Sequence, residues 1–142
     1  KRDTDDTDFR NLGVKYDLRV TNCIFCNYKR ETILENELAI AFYDKYPVTL
    51  KHILIIPKRH CENYFSLSQP EINAINRLTH ELKSKLITED KTITGFNIGF
   101  NVGEDAGQTV FHCHMHLIPR RKSDVTNPKG GIRNIIPNKG KY

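Results

Sequence analysis

The chain contains no apolar run approaching the roughly 20 residues of a membrane-spanning helix, so a helical membrane protein is not expected. It shows no secretory leader, although it begins at Lys1 rather than Met, and the location expected is cytoplasmic. Its four cysteines, Cys23, Cys26, Cys61 and Cys113, are too few and too unevenly placed for a disulfide scaffold. It has no basic helix and no aromatic-basic strand motif, which counts against nucleic acid as a partner. Internal repeats are absent. What remains is modest positive charge: 22 basic against 17 acidic residues, net +5, spread rather than blocked. That balance fits a phosphate-bearing partner without specifying it.

The 142 residues, 38% of them hydrophobic, are enough for one domain with a real core. Residues 1–17, with "DTDDTD", carry charge and few apolar groups and read as a flexible arm before a single domain, 18–142. "ELAIAFYD" (37–44) and "TLKHILIIP" (49–57) read as an antiparallel strand pair closed by Pro57. "SLSQPEINAINRLTHELKSKL" reads as the main helix. Ser68 and Glu71 form a capping box, Pro70 suits the first turn, and Ile72, Ile75, Leu78, Leu82 and Leu86 share a face. "GFNIGFNVG" (95–103) reads as a further strand, 109–118 as another, and the tail 123–142 as loop with one short apolar piece. The fold class is α+β, an antiparallel sheet of about five strands with one main helix.

"FHCHMHLIPR" (111–120) places three of the six histidines within five positions. Side chains alternate faces along a strand. His112, His114 and His116 therefore share one face, while Phe111, Cys113, Met115 and Leu117 take the other. Such a row permits two chemistries. Three imidazoles and water make a catalytic zinc site. Alternatively, a neutral imidazole attacks phosphorus while a neighbour holds phosphate oxygens or protonates the leaving group. The flanks favour the second. Asn101, Gln108 and Thr109 are neutral donors, and Gly103 and Gly107 let backbone N–H groups approach an anion. The only nearby acids, Glu104 and Asp105, lie in the preceding turn, whereas hydrolytic zinc more often has a carboxylate base close by.

The run His112-Cys113-His114-Met115-His116-Leu117-Ile118 resembles the histidine triad (HIT) family of nucleotide hydrolases and transferases. "AGQTVFHCHMHLIPR" resembles the family's catalytic strand, "FNIGFNVG" the strand before it, and "AFYDKYPVTLKHILIIPKRH" its N-terminal hairpin. "CIFC" resembles the opening of bacterial-type, diadenosine polyphosphate hydrolase-like members. The resemblance spans about residues 23–121. It implies that His114 is the nucleophile, taking a nucleotide as a covalent phosphoramidate. By the same resemblance His116 contacts the α-phosphate, His112 supports the nucleophile, and His52 orients the row from the adjacent strand. It further implies that Asp44 holds the ribose, Phe42 walls the base pocket, and Gln108, Thr109 and Asn101 contact phosphates or the leaving group. Rival readings of single residues are Asp44 as a turn cap, Phe42 as core and His52 as a buried core histidine.

The resemblance also implies a structural zinc on Cys23, Cys26, His60 and His112, as in some bacterial-type members, with no metal required for the chemistry. A reduced buried thiol pair is the rival reading. The expected partners are a nucleotide substrate containing adenine and a second copy of the chain in a homodimer. Lys129, Arg133 and the Gly130-Gly131 pair of the tail are candidates to meet outer phosphates, with a structural or dimer-contact role as the alternative. The function expected is hydrolysis or nucleotidyl transfer on dinucleoside polyphosphates or nucleoside phosphoramidates. The alternative is a non-catalytic nucleotide- or zinc-binding interaction module.

Overall fold

Two hairpins, one helix and a returning strand make up the domain. The computed structural model describes residues 22–27 and 31–142, so the arm assigned to residues 1–17 lies outside the described residues. In chain order the elements are β1 (Leu34–Glu35), β2 (Ala39–Tyr43), β3 (Ile53–Pro57), α1 (Gln69–Glu89), β4 (Ile93–Phe100) and β5 (Met115–Arg121). Short 3-10 turns lie at Tyr64–Ser66, Glu104–Ala106 and Gly131–Ile135. The five strands form one antiparallel sheet in the order β1-β2-β3-β5-β4. β5 is inserted between β3 and β4, which puts the histidine-bearing segment near the middle of the sheet.

α1 starts where the sequence places its signals. The Ser68 side chain accepts from the Glu71 N–H, the Glu71 carboxylate accepts from the Ser68 N–H, and Pro70 occupies the first turn. Arg59 donates twice to the same carboxylate, at 3.1 and 2.8 Å, tying the end of β3 to the helix start. Ala74, Ile75, Leu78, Leu82 and Leu86 then pack on Ala39, Ala41, Ile53, Ile55, Met115 and Leu117. Each large apolar side chain buried here contributes about 1.5–3 kcal/mol of transfer free energy.

Alternation sends the neighbours of those strand residues to the other face. There Phe42, Leu54 and Ile56 pack with Cys23 and Phe25 from the segment preceding the sheet. β3 is consequently buried along its whole length, Ile53–Pro57. One face of the sheet is filled by α1. The opposite face carries His116, whose register partner is Leu54 on β3.

The largest boundary differences from the sequence reading fall on three strands. β3 begins at Ile53 rather than residue 49, because Thr49–His52 form a turn: the His52 N–H bonds to the Thr49 carbonyl at 3.2 Å and Lys51 has φ 69°. β4 covers 93–100 rather than 95–103. The histidine strand begins at Met115 rather than residue 109, so His116 alone of the three lies in β5. The partners explain this: the registers of β3 and β4 both end opposite Met115. Before that point the chain leaves the ladder, and the Cys113 N–H bonds instead to the Cys61 carbonyl at 2.7 Å. The tail is also more ordered than a loop. It holds the 3-10 turn at Gly131–Ile135, and Lys129 and Arg133 both lie over the Tyr142 ring. Among the described residues, no helix is long and apolar enough to cross a membrane.

Candidate active site

The row of histidines is set by main-chain groups. His114 Nδ1 lies 2.8 Å from the His112 carbonyl oxygen. A carbonyl only accepts, so Nδ1 carries the hydrogen and donates it. The Nε2 lone pair is left free for attack. Burial lowers the His114 pKa, against the opposing pull of that hydrogen bond and of Asp44, which keeps the ring neutral near pH 7.

The same accounting runs through the neighbouring pair. The Val48 N–H donates to His52 Nδ1 at 3.2 Å, so the hydrogen of His52 sits on Nε2. That Nε2 lies 2.9 Å from His116 Nδ1, which must accept. The hydrogen of neutral His116 is then on its Nε2, where it can be donated to a ligand oxygen. Burial pushes His116 down to about 4, aided by His114 and His52. Burial likewise lowers His52, with Asp44 opposing. The His114 and His116 ring centres are 5.3 Å apart. One ring thus has a bare nitrogen and its neighbour an N–H, which is the complementary pair that in-line displacement at phosphorus needs.

Asp44, His52 and His116 place three ligating atoms close together. A metal there would need the His52 Nε2 lone pair, but the Val48 N–H already claims Nδ1 and leaves Nε2 protonated. The cluster is therefore joined by the single hydrogen bond from His52 Nε2 to His116 Nδ1. Asp44 stands 3.6 Å from His52 Nε2, beyond a good hydrogen bond, and accepts from the Tyr46 N–H at 2.9 Å in a local turn.

The four residues expected to hold zinc do converge. Cys23 Sγ and Cys26 Sγ each lie 3.4 Å from His112 Nδ1, and Cys26 Sγ lies 3.2 Å from His60 Nδ1. All four donor atoms fall within 4.8 Å of one another. Zinc–sulfur and zinc–nitrogen bond lengths place tetrahedral ligands about 3.5 Å apart. His112 Nε2 donates to the Pro57 carbonyl at 2.9 Å, which turns the Nδ1 lone pair toward the thiols. The Cys26 N–H points at Cys23 Sγ at 3.3 Å, favouring a thiolate. Donor set, spacing and tautomer all fit zinc. Four protein ligands would close the site, so the metal would join residues 23–26 to the end of β3 and to the histidine row rather than take part in chemistry.

The remaining expected residues are distributed around this centre. Phe42 is 3% exposed, its ring 5.6 Å from that of Phe25. Asn101 is exposed just past β4. Thr109 is exposed on the wall of a cavity of about 250 Å³ that it shares with Ile24, His60 and Phe111. Gln108 is buried with its amide committed to backbone: it accepts from the Gly103 N–H at 2.9 Å and donates to the Glu62 and Val110 carbonyls at 2.7 and 3.1 Å. It shapes the loop before the triad, and it can meet a phosphate only by giving up one of those bonds. Lys129 and Arg133 are turned to Tyr142. Phe25 was not singled out from the sequence. Its ring lies 5.2 Å from His114 and 5.9 Å from His112, edge-on to both. Its only sequence signal is its place between the two cysteines.

A five-stranded antiparallel α+β domain with three histidines converging at and just before the start of β5 defines a histidine triad protein. The HIT domain matches residues 27–123, and the chain belongs to that family. It is 40% identical over 116 residues to an uncharacterized 16.1 kDa HIT-like protein of Mycoplasma pneumoniae, covering 78% of this chain and 80% of that one. It is similar in structure to a Zn-bound histidine triad family protein from Mycobacterium smegmatis: TM-score 0.69, 28% identity, covering 75% and 81% of the two chains. It is also 32% identical over 96 residues to an asymmetrical bis(5′-nucleosyl)-tetraphosphatase of Schizosaccharomyces pombe, covering 68% of this chain and 52% of that protein.

Proposed function

We propose that this protein is a nucleotide hydrolase or nucleotidyl transferase acting through a nucleotidyl-histidine intermediate on dinucleoside polyphosphates or nucleoside phosphoramidates. The observation that carries the reading is the tautomer at His114: its Nδ1–H is spent on the His112 carbonyl, so Nε2 is the available nucleophile. The likeness to a bis(5′-nucleosyl)-tetraphosphatase supports the substrate class.

In the first step His114 Nε2 attacks the α-phosphorus. A P–N bond forms and the bond to the leaving phosphate or amine breaks. His116, with its Nε2–H directed outward, holds a phosphate oxygen and stabilises the developing charge. The leaving group takes up a proton from solvent, which the attacking water or phosphate returns in the second step. In the second step water or phosphate attacks phosphorus from the side the leaving group vacated, the P–N bond breaks, and His114 is restored. Splitting one slow hydrolysis into two displacements is the gain of covalent catalysis. Asp44 is the group assigned to the ribose diol, since a carboxylate accepts two hydrogen bonds from it. Phe42 and Phe25 form the apolar wall behind it, and Thr109 and Asn101 are the exposed donors assigned to phosphate. Zinc on Cys23, Cys26, His60 and His112 would hold residues 23–26 beside the histidine row.

AMP release from diadenosine tetraphosphate and from adenosine 5′-phosphoramidate tests the reading. His114→Ala is expected to lower turnover at least about a thousandfold, as removal of a covalent nucleophile does. EDTA added to the folded protein is expected to leave turnover nearly unchanged. Retained activity in the variant, or prompt loss with EDTA, would return the row to a metal-centred mechanism.

A further inference from the structure

Neither the histidine chemistry nor the zinc ligation uses Cys61 or Cys113. Both are free cysteines and both are buried, at 5% and 1% exposure. They come from distant parts of the chain yet face each other. The Cys113 N–H bonds to the Cys61 carbonyl at 2.7 Å, which sets the two residues side by side. A main-chain hydrogen bond of that length keeps the two Cα atoms within the roughly 4.4–6.8 Å that a disulfide spans. The flanking residues matter as much as the pair. His60 precedes Cys61, and His112 and His114 stand on either side of Cys113.

We propose that Cys61 and Cys113 form a reversible disulfide that displaces the histidine row. Two thiols and one hydrogen peroxide give one S–S bond and two waters. Both S–H bonds and the O–O bond break, and two electrons pass from sulfur to oxygen. An S–S bond is about 2.05 Å long, much shorter than a thiol–thiol contact, so closure turns both cysteine side chains into the bonded geometry and pulls on the segments that carry them. The His112 carbonyl that fixes the His114 tautomer is one atom removed from the Cys113 backbone nitrogen, so it moves with Cys113. His60 moves with Cys61 on the other side of the same centre.

The zinc-loaded, full-length protein is oxidised with hydrogen peroxide, alkylated and digested, and its disulfides are mapped by mass spectrometry. Long-range imidazole 1H–15N spectra are recorded in parallel. The expected result is a Cys61–Cys113 linked peptide, shifted His112 and His114 resonances, and reversal of both by dithiothreitol. Cys61→Ala and Cys113→Ala are each expected to hold their imidazole spectra under the same oxidant. A linkage confined to Cys23–Cys26, no linkage, or a linked peptide with unmoved imidazole resonances overturns the proposal, as does an equal response in the variants. The dependence of catalysis on this bond rests on the function proposed above and is read separately. AMP release is expected to fall about tenfold or more on oxidation, since small displacements of a reacting group cost that much. A reduced protein without AMP release counts against that function and leaves the disulfide to be decided by the peptide map and the spectra.

Discussion

At position 116 a proton has nowhere comfortable to go. The ring is packed between His52 and His114, and its Nδ1 accepts from His52. Its pKa is lowered from 6.5 to about 4, so the folded state binds fewer protons than the unfolded chain below pH 6.5. The stabilisation is complete above that value and is lost as pH falls toward 4. Between pH 7.5 and 5, His116 is expected to account for a loss of about 2 kcal/mol. Urea unfolding midpoints across that range check it: His116→Gln should flatten the dependence relative to the wild type, and parallel curves would contradict the assignment. The residue scale is also where the sequence reads well only in part. It contains the row and its spacing, and the family resemblance points to Cys23, Cys26, His60 and His112, whose donor atoms the structure brings together. It does not contain the hydrogen positions, because those depend on the Val48 N–H and the His112 and Pro57 carbonyls, main-chain groups that side-chain identity leaves in place with proline's missing N–H as the exception.

Elements were legible to the extent that their signals are local. The helix start at Ser68 is a matter of four adjacent residues, and the capping box forms as read. Ser68→Ala should cost about 1 kcal/mol by leaving the Glu71 N–H without its acceptor. Leu82→Ala, at a fully buried position facing the sheet, should cost about 2–5 kcal/mol. Denaturant unfolding of both variants with unchanged m-values checks the pair, and a Leu82 variant as mild as the cap variant would mean the helix face packs loosely. Strand ends were less legible because they are set by partners distant in sequence. Alternation continues through His112 and His114, yet the strand begins only at Met115, where its ladders with β3 and β4 both end. On the outermost strand β4, Ile98 is 45% exposed.

For the molecule as a whole, the sheet separates two tasks. The α1 face holds the larger core, and the other holds the histidines under a cover formed by residues 23–26. That cover is held by the Phe25 cluster and ends in the four converging donors, so zinc is expected to secure it further. EDTA with a reductant should lower the thermal midpoint, and added zinc should restore it. Cys23→Ser should start low and respond to neither, whereas an unchanged wild-type midpoint would show that the four donors hold no metal that matters for stability. The α+β class and the antiparallel sheet follow from patterns along the chain. The order β3-β5-β4 does not, because β5 is inserted between strands that precede it in sequence.

The contact at Val48 carries a consequence for anyone mapping this site by substitution. Its side chain points to solvent, and exchanging it for almost any other residue leaves the N–H to His52 in place. A saturation screen would score position 48 as tolerant, with proline as the lone exception, since proline has no N–H to give. A position that governs which nitrogen of His116 is protonated would then be invisible in its variant profile except for that single outlier.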